Sequence, residues 1–129
     1  MTTDLWCLVV ATFWGWVLLE VEAVGKTRIA GTAWNMGNRD VAPEFPAWIQ
    51  RAGRALDNHK ENLPFFLVAV LVVHVAGKAD RVSAVACVVY VLARAAHGML
   101  YIAGITRVRS AAYVAGLVAT LTVVSRLIL

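Results

Sequence analysis

Four apolar runs alternate with polar segments along the chain, at about residues 5–24, 63–77, 82–105 and 110–129. A membrane-spanning helix needs roughly 20 predominantly apolar residues, so runs of this kind read as helices that cross a bilayer. The second run continues a helix that starts near residue 47. Only Gly77, Lys78, Ala79, Asp80 and Arg81 separate the second run from the third, which predicts a tight antiparallel helical hairpin. The pattern predicts an all-α integral membrane protein, a four-transmembrane-helix up-down bundle in one domain over residues 1–129. The polar stretch from the 20s to the 40s, with Gly25, Gly31, Gly37, Pro43 and Pro46, predicts no regular element.

Composition sharpens this picture. The chain has 129 residues, 60% of them hydrophobic and 16% charged, with a mean hydropathy of +0.71. Soluble domains are about 45–50% apolar and about 25% charged, so these numbers place the chain in the membrane class and exclude disorder. Four spans of roughly 20 residues leave too little chain for a separate soluble catalytic domain. The net charge of +4 comes without a basic run, which argues against a nucleic-acid partner. Leu5 to Leu19 is apolar, but Asp4 is the only charge before it, so it reads as a retained span rather than a signal peptide. Cys7 and Cys87 fall inside apolar runs and read as small buried hydrophobes.

Charge also sets an expected orientation. Lys26, Arg28, Arg39, Arg51, Arg54, Lys60, Arg107 and Arg109 lie at one end of the bundle; Lys78, Arg81 and Arg126 lie at the other. The positive-inside rule then puts the first group in the cytoplasm and both termini outside. Trp6, Trp34 and Trp48 read as interface anchors.

Two polar stripes carry the candidate chemistry. Arg51, Arg54, Asn58 and Glu61 stand at spacings 0, 3, 7 and 10, which stacks them on one helix face leading into the second apolar run. Asp57 borders that face, His59 reads as a solvated neighbour of it, and Pro64 lies just inside the apolar run. Arg94, His97 and Tyr101, at 0, 3 and 7, form a second stripe within the third run. An arginine at mid-span costs at least about 2.5–3.5 kcal/mol on insertion scales, so it faces a bundle interior, a cavity or an interface. A bland alternative pairs Arg94 with Glu20, Glu22 or Glu61 to fix helix packing. Cations outnumber carboxylates in the combined stripes, which implies an anionic guest, and arginine holds carboxylates in bidentate fashion. Asn58 and Glu61 suit the amide and amine ends of a small zwitterionic peptide. No Cys, His and carboxylate set has metal spacing, and His74 reads as an interhelical histidine.

These residues resemble the MAPEG family, the membrane-associated proteins of eicosanoid and glutathione metabolism. The resemblance rests on Arg51-Ala-Gly-Arg54, Asn58, Glu61-Asn-Leu-Pro-Phe, Arg94-x-x-His97-x-x-x-Tyr101 and Arg109-Ser110. Gly37-Asn-Arg-Asp40 and the short loops are similar to the small bacterial branch. The resemblance implies a homotrimer in a bacterial inner membrane, with glutathione as co-substrate bound between subunits on the cytoplasmic side. Carried over by position, Arg51, Arg54, Asn58, Glu61, Arg94, His97 and Tyr101 hold glutathione, Arg28 joins them loosely, and Arg109 stabilises the thiolate. The implied activity is a transferase or peroxidase acting on hydrophobic electrophiles or lipid hydroperoxides drawn from the bilayer, without a metal. The implied alternative is a non-catalytic lipid-binding or scaffold protein of the same fold. Asp57 departs from the family pattern, which has a basic or neutral polar residue there, and Leu56 replaces a common histidine. A transporter is disfavoured, since the chain shows no inverted repeat and no pair of broken helices.

Overall fold

The computed structural model describes residues 1–129 and is entirely helical. Its helices are α1 (Thr3–Ala30), α2 (Thr32–Met36), α3 (Ala47–Val75), α4 (Arg81–Ala103) and α5 (Arg107–Ser125). Three of them, α1, α4 and α5, are long and apolar enough to cross a membrane. Together they make the chain an integral membrane protein. The helix α3 has 29 residues but does not join that group. Its apolar half, from Leu63 to Val75, rises only about 20 Å, short of the roughly 30 Å hydrocarbon core. Its first half carries Arg51, Arg54, Asp57, Lys60 and Glu61. Of the four expected spans, three are apolar along their length, and the fourth is the apolar half of a long helix that is polar at its other end.

The long helices pack in an order set by their connections. α4 lies against α5 across the short 104–106 turn, α3 meets α4 across the 76–80 turn, and α1 closes against both α3 and α4. Asp80 starts α4 with a capping box: its Oδ1 accepts from the Ser83 N–H at 2.9 Å, while its own N–H donates to Ser83 Oγ at 3.0 Å. α4 ends on Gly104, whose φ of 80° lies in the left-handed region that suits glycine. The core joins Cys7, Leu8 and Ala11 of α1 to Phe66, Val70 and Val73 of α3, Cys87 and Tyr90 of α4, and Ala119 and Val123 of α5. Both cysteines are free and buried in it. Outside the core the helices present large apolar side chains, such as Phe13, Val68, Leu92 and Leu121, all more than half exposed. Such a surface suits lipid or a neighbouring subunit rather than water.

The 20s-to-40s stretch is more ordered than its glycines and prolines predict. α1 continues past Val24 to Ala30, and α2 follows immediately. Beyond it the Trp34 Nε1–H donates to the Val41 carbonyl at 2.6 Å, and Trp34 meets Phe45 edge-on at 5.5 Å. Arg39 lies over Trp34 and Lys26 over Phe45. These aromatic and cation–π contacts supply the packing that backbone propensity withholds.

Candidate functional site

The start of α3 is fastened to the end of α4. Arg51 Nε donates to the Ile102 carbonyl at 2.9 Å, and the guanidinium lies against Gly104, where a Cβ would come within 3.3 Å of Cζ. The Nη groups of Arg51 make no hydrogen bond within the chain, so its fork stays available.

Arg94 lies two and a half turns before the end of α4 and is only 3% exposed. Its Nη2 donates to Asn58 Oδ1 at 2.8 Å, while its Nε is buried with no partner. α5 passes closely over its aliphatic stem because position 116 is glycine; a Cβ there would lie 3.3 Å from Arg94 Cδ. The three ion pairs of the chain are Lys26–Glu22, Lys60–Asp57 and Arg126–Asp80, and none involves Arg51, Arg94 or Arg109. The pairing of Arg94 with Glu20, Glu22 or Glu61 is therefore not what the structure holds. A buried guanidinium with one neutral partner is costly, and an added anion offsets that cost.

One turn further along α4, His97 is 4% exposed with its Nδ1 unpartnered. Its ring lies edge-on to Tyr101 at 5.6 Å and tilted against Tyr113 at 6.1 Å. The Arg109 guanidinium, rather than that of Arg107, stacks over the Tyr101 ring at 4.2 Å. Asn58, Arg94, His97, Tyr101 and Arg109 thus form a connected set from α3, α4 and α5, with Arg51 beside it at Ile102. A model of the MAPEG family matches residues 4–129, essentially the whole chain. The chain belongs to the MAPEG family. No curated protein and no solved structure matches it. MAPEG membership carries a membrane function related to glutathione or eicosanoid metabolism in general terms.

Within one MAPEG chain the remaining predicted residues stand apart from that set. Arg54 is exposed and lines a separate groove of about 460 Å³ with Glu22, Lys26, Trp34 and Arg39. Glu61 is exposed and forms no hydrogen bond or ion pair in the chain. Arg28 is exposed near the end of α1, in shallow grooves with Glu20, Val24 and Trp48. Asp57 has a side chain 65% exposed and pairs with Lys60 at 3.0 Å, so its charge is partly neutralised at the surface.

His59 is not solvated. It is 1% exposed, its Nε2 lies 3.0 Å from the Ala11 carbonyl, and its Nδ1 is buried without a partner. Gly15 makes this fit possible, since a Cβ there would come within 3.0 Å of the ring. The small residues Ala11 and Gly15, one turn apart on α1, are the signal in the sequence that a bulky side chain docks there. Tyr113 was legible as the i+4 neighbour of Arg109, and Tyr90 as the i−4 neighbour of Arg94. Tyr90 stacks on Phe66 at 3.6 Å and leaves its hydroxyl unpartnered. No group of three or more His, Cys, Asp or Glu side chains is placed to hold a metal ion.

Proposed function

We propose that this MAPEG protein is a membrane-embedded glutathione-dependent transferase or peroxidase acting on hydrophobic electrophiles or lipid hydroperoxides. The observation that carries this reading is Arg94: a buried guanidinium held by one carboxamide, with no carboxylate in its own chain. The orphaned Arg94 Nε and His97 Nδ1 fit a polar anionic guest such as the tripeptide. In this reading Arg51, Arg54, Asn58, Glu61, Arg94, His97 and Tyr101 hold its carboxylates, amides and amine, with Arg28 contributed across a subunit boundary.

Arg54, Glu61 and Arg28 stand away from the Arg94 set within one chain, which supports a site completed by a neighbour in a homotrimer. The same assembly shelters the polar half of α3, so that all four long helices of the single domain cross the bilayer. Lys26, Arg28, Arg51, Arg54, Arg107 and Arg109 then face the cytoplasm of a bacterial cell, and both termini lie outside.

Glutathione supplies a thiol, ordinarily ionised only near pH 8.5. Arg109, stacked on Tyr101, is the cation that favours the thiolate. Lowering the thiol pKa by two units takes about 2.7 kcal/mol, within reach of one poorly solvated guanidinium. A second reading, a non-catalytic lipid-binding or scaffold protein, is favoured by the Asn58–Arg94 bond, which also ties α3 to α4 without any guest. Calorimetry with glutathione on the detergent-purified oligomer tests the first reading. Saturable binding that weakens sharply in Arg51→Ala supports the thiol site; no binding to the folded oligomer overturns it in favour of the scaffold.

A further inference from the structure

Between α4 and α5 runs an open groove of about 1030 Å³, from Arg81 and Thr122 at one end to Ser110, next to Arg109, at the other. Nine of its twelve lining residues are hydrophobic, so the occupant is apolar over most of its length. Val82, Val85 and Val89 form one wall and Ala111, Ala115 and Val118 the other. The hydroxyls along it are already used: Ser110 Oγ donates to the Thr106 carbonyl and Thr122 Oγ1 to the Val118 carbonyl. Neither hydroxyl has a hydrogen left to donate to a guest.

The only charge on the lining is Arg81, at the mouth. Arg81 is exposed and unpaired, and so is Lys78 just before it. Asp80, between them, is already committed to Arg126 and to the Ser83 N–H. Buried Asp4 is held by Ser83 Oγ. The two cations at the mouth are therefore not neutralised by the chain. Below Arg81 the groove runs about 12 Å along α4 to Val89 and about 18 Å along α5, at roughly 1.5 Å per residue. A cation at the membrane surface above an apolar groove of that length matches an anionic headgroup with its acyl chains.

We propose that the α4–α5 groove binds one membrane phospholipid with an anionic headgroup, its phosphate on Arg81 and its acyl chains between the valine and alanine walls. None of its lining residues belongs to the Arg94 set, although Ser110 adjoins Arg109, and the proposal does not depend on the thiol reading. The test is native mass spectrometry of the protein released from nanodiscs of equimolar phosphatidylglycerol and phosphatidylcholine. The expected result is one retained lipid per chain, enriched in phosphatidylglycerol. Loss of one interfacial cation in Arg81→Gln lowers that enrichment about five-fold, and Ala115→Trp, which fills the channel, abolishes retention. Circular dichroism checks that both variants are folded. Equal retention of the two lipids, or enrichment unchanged in Arg81→Gln, overturns the proposal. So does dissociation of the oligomer in Ala115→Trp, which would assign the groove to a second copy of the chain.

Discussion

The two ends of the helix bundle differ in how many buried polar groups they leave without a partner. At the end where α1 and α4 begin, the buried carboxylate and the α4 cap have partners in the chain, and only His74 leaves a buried side-chain nitrogen, Nδ1, without one. Asp4 is 3% exposed, and its Oδ2 accepts from Ser83 Oγ at 2.6 Å. Asp80 caps α4 and receives Arg126 of the α5 terminus through Nε at 3.0 Å and Nη2 at 2.8 Å. At the Arg94 end, Trp14, His59, Tyr90, Arg94 and His97 each bury a side-chain nitrogen or oxygen with no partner. Native interiors satisfy such groups, so the contrast separates a finished fastening from a region that is completed by something else. The first end is architecture. The second is where a ligand, a neighbouring subunit or both belong.

The largest expected effect falls on Arg109. Assayed at a pH well below both thiol pKa values, where two pKa units change the thiolate fraction in full, Arg109→Ala should lower turnover with an activated electrophile about 100-fold, while glutathione binding changes little. The ultraviolet absorbance of bound thiolate as a function of pH reads the shift directly. An unchanged titration in the variant removes Arg109 from the thiolate role.

Arg94→Ala sharpens the comparison from the other side of the site. Hydrogen bonds to charged groups contribute about 1.5–3 kcal/mol, so glutathione affinity should fall roughly 10- to 100-fold with the oligomer intact. Collapse of the oligomer with no prior glutathione affinity would make the Arg94 end architecture as well, and the contrast between the ends would disappear.

Ser83→Ala tests the finished end. It removes the donor to a buried carboxylate and should destabilise the fold by about 1–3 kcal/mol in thermal denaturation, without touching glutathione affinity. The smallest effect belongs to Asp80. The Ser83 N–H, with help from Arg126, holds its carboxyl below the usual carboxylate range. Because the folded pKa is depressed, the stabilisation is present above the ordinary carboxylate pKa of about 4 and is lost as pH falls through the folded value. Asp80→Asn should therefore flatten the acid limb of the melting-temperature profile, and an acid limb identical to that of the unaltered protein counts against this fastening.

How far the site was legible depends on whether its residues share a helix. Arg51, Arg54, Asn58 and Glu61 share α3, and Arg94, His97 and Tyr101 share α4, so helical periodicity alone places each stripe. Their meeting is a different matter. That Arg94 chooses Asn58 over Glu61, and that Arg109 rather than Arg107 covers Tyr101, follow from how α3, α4 and α5 cross. His59 was misread because its polar neighbours in sequence, Asn58 and Lys60, point to solvent-side chemistry. Its burial comes from α1, where Ala11 and Gly15 leave room for the ring.

The sequence by itself determined the membrane class, the positions of the apolar helices, the tight turn at 76–80 and the two polar stripes. Each of these is a local consequence of hydropathy, periodicity or turn chemistry. Only the tertiary structure decided that the 31–46 segment folds around Trp34 and Phe45. It also decided which cations are spent on carboxylates and which are left free. Pairing and burial depend on contacts between residues far apart in the chain, and no pattern along one helix contains them.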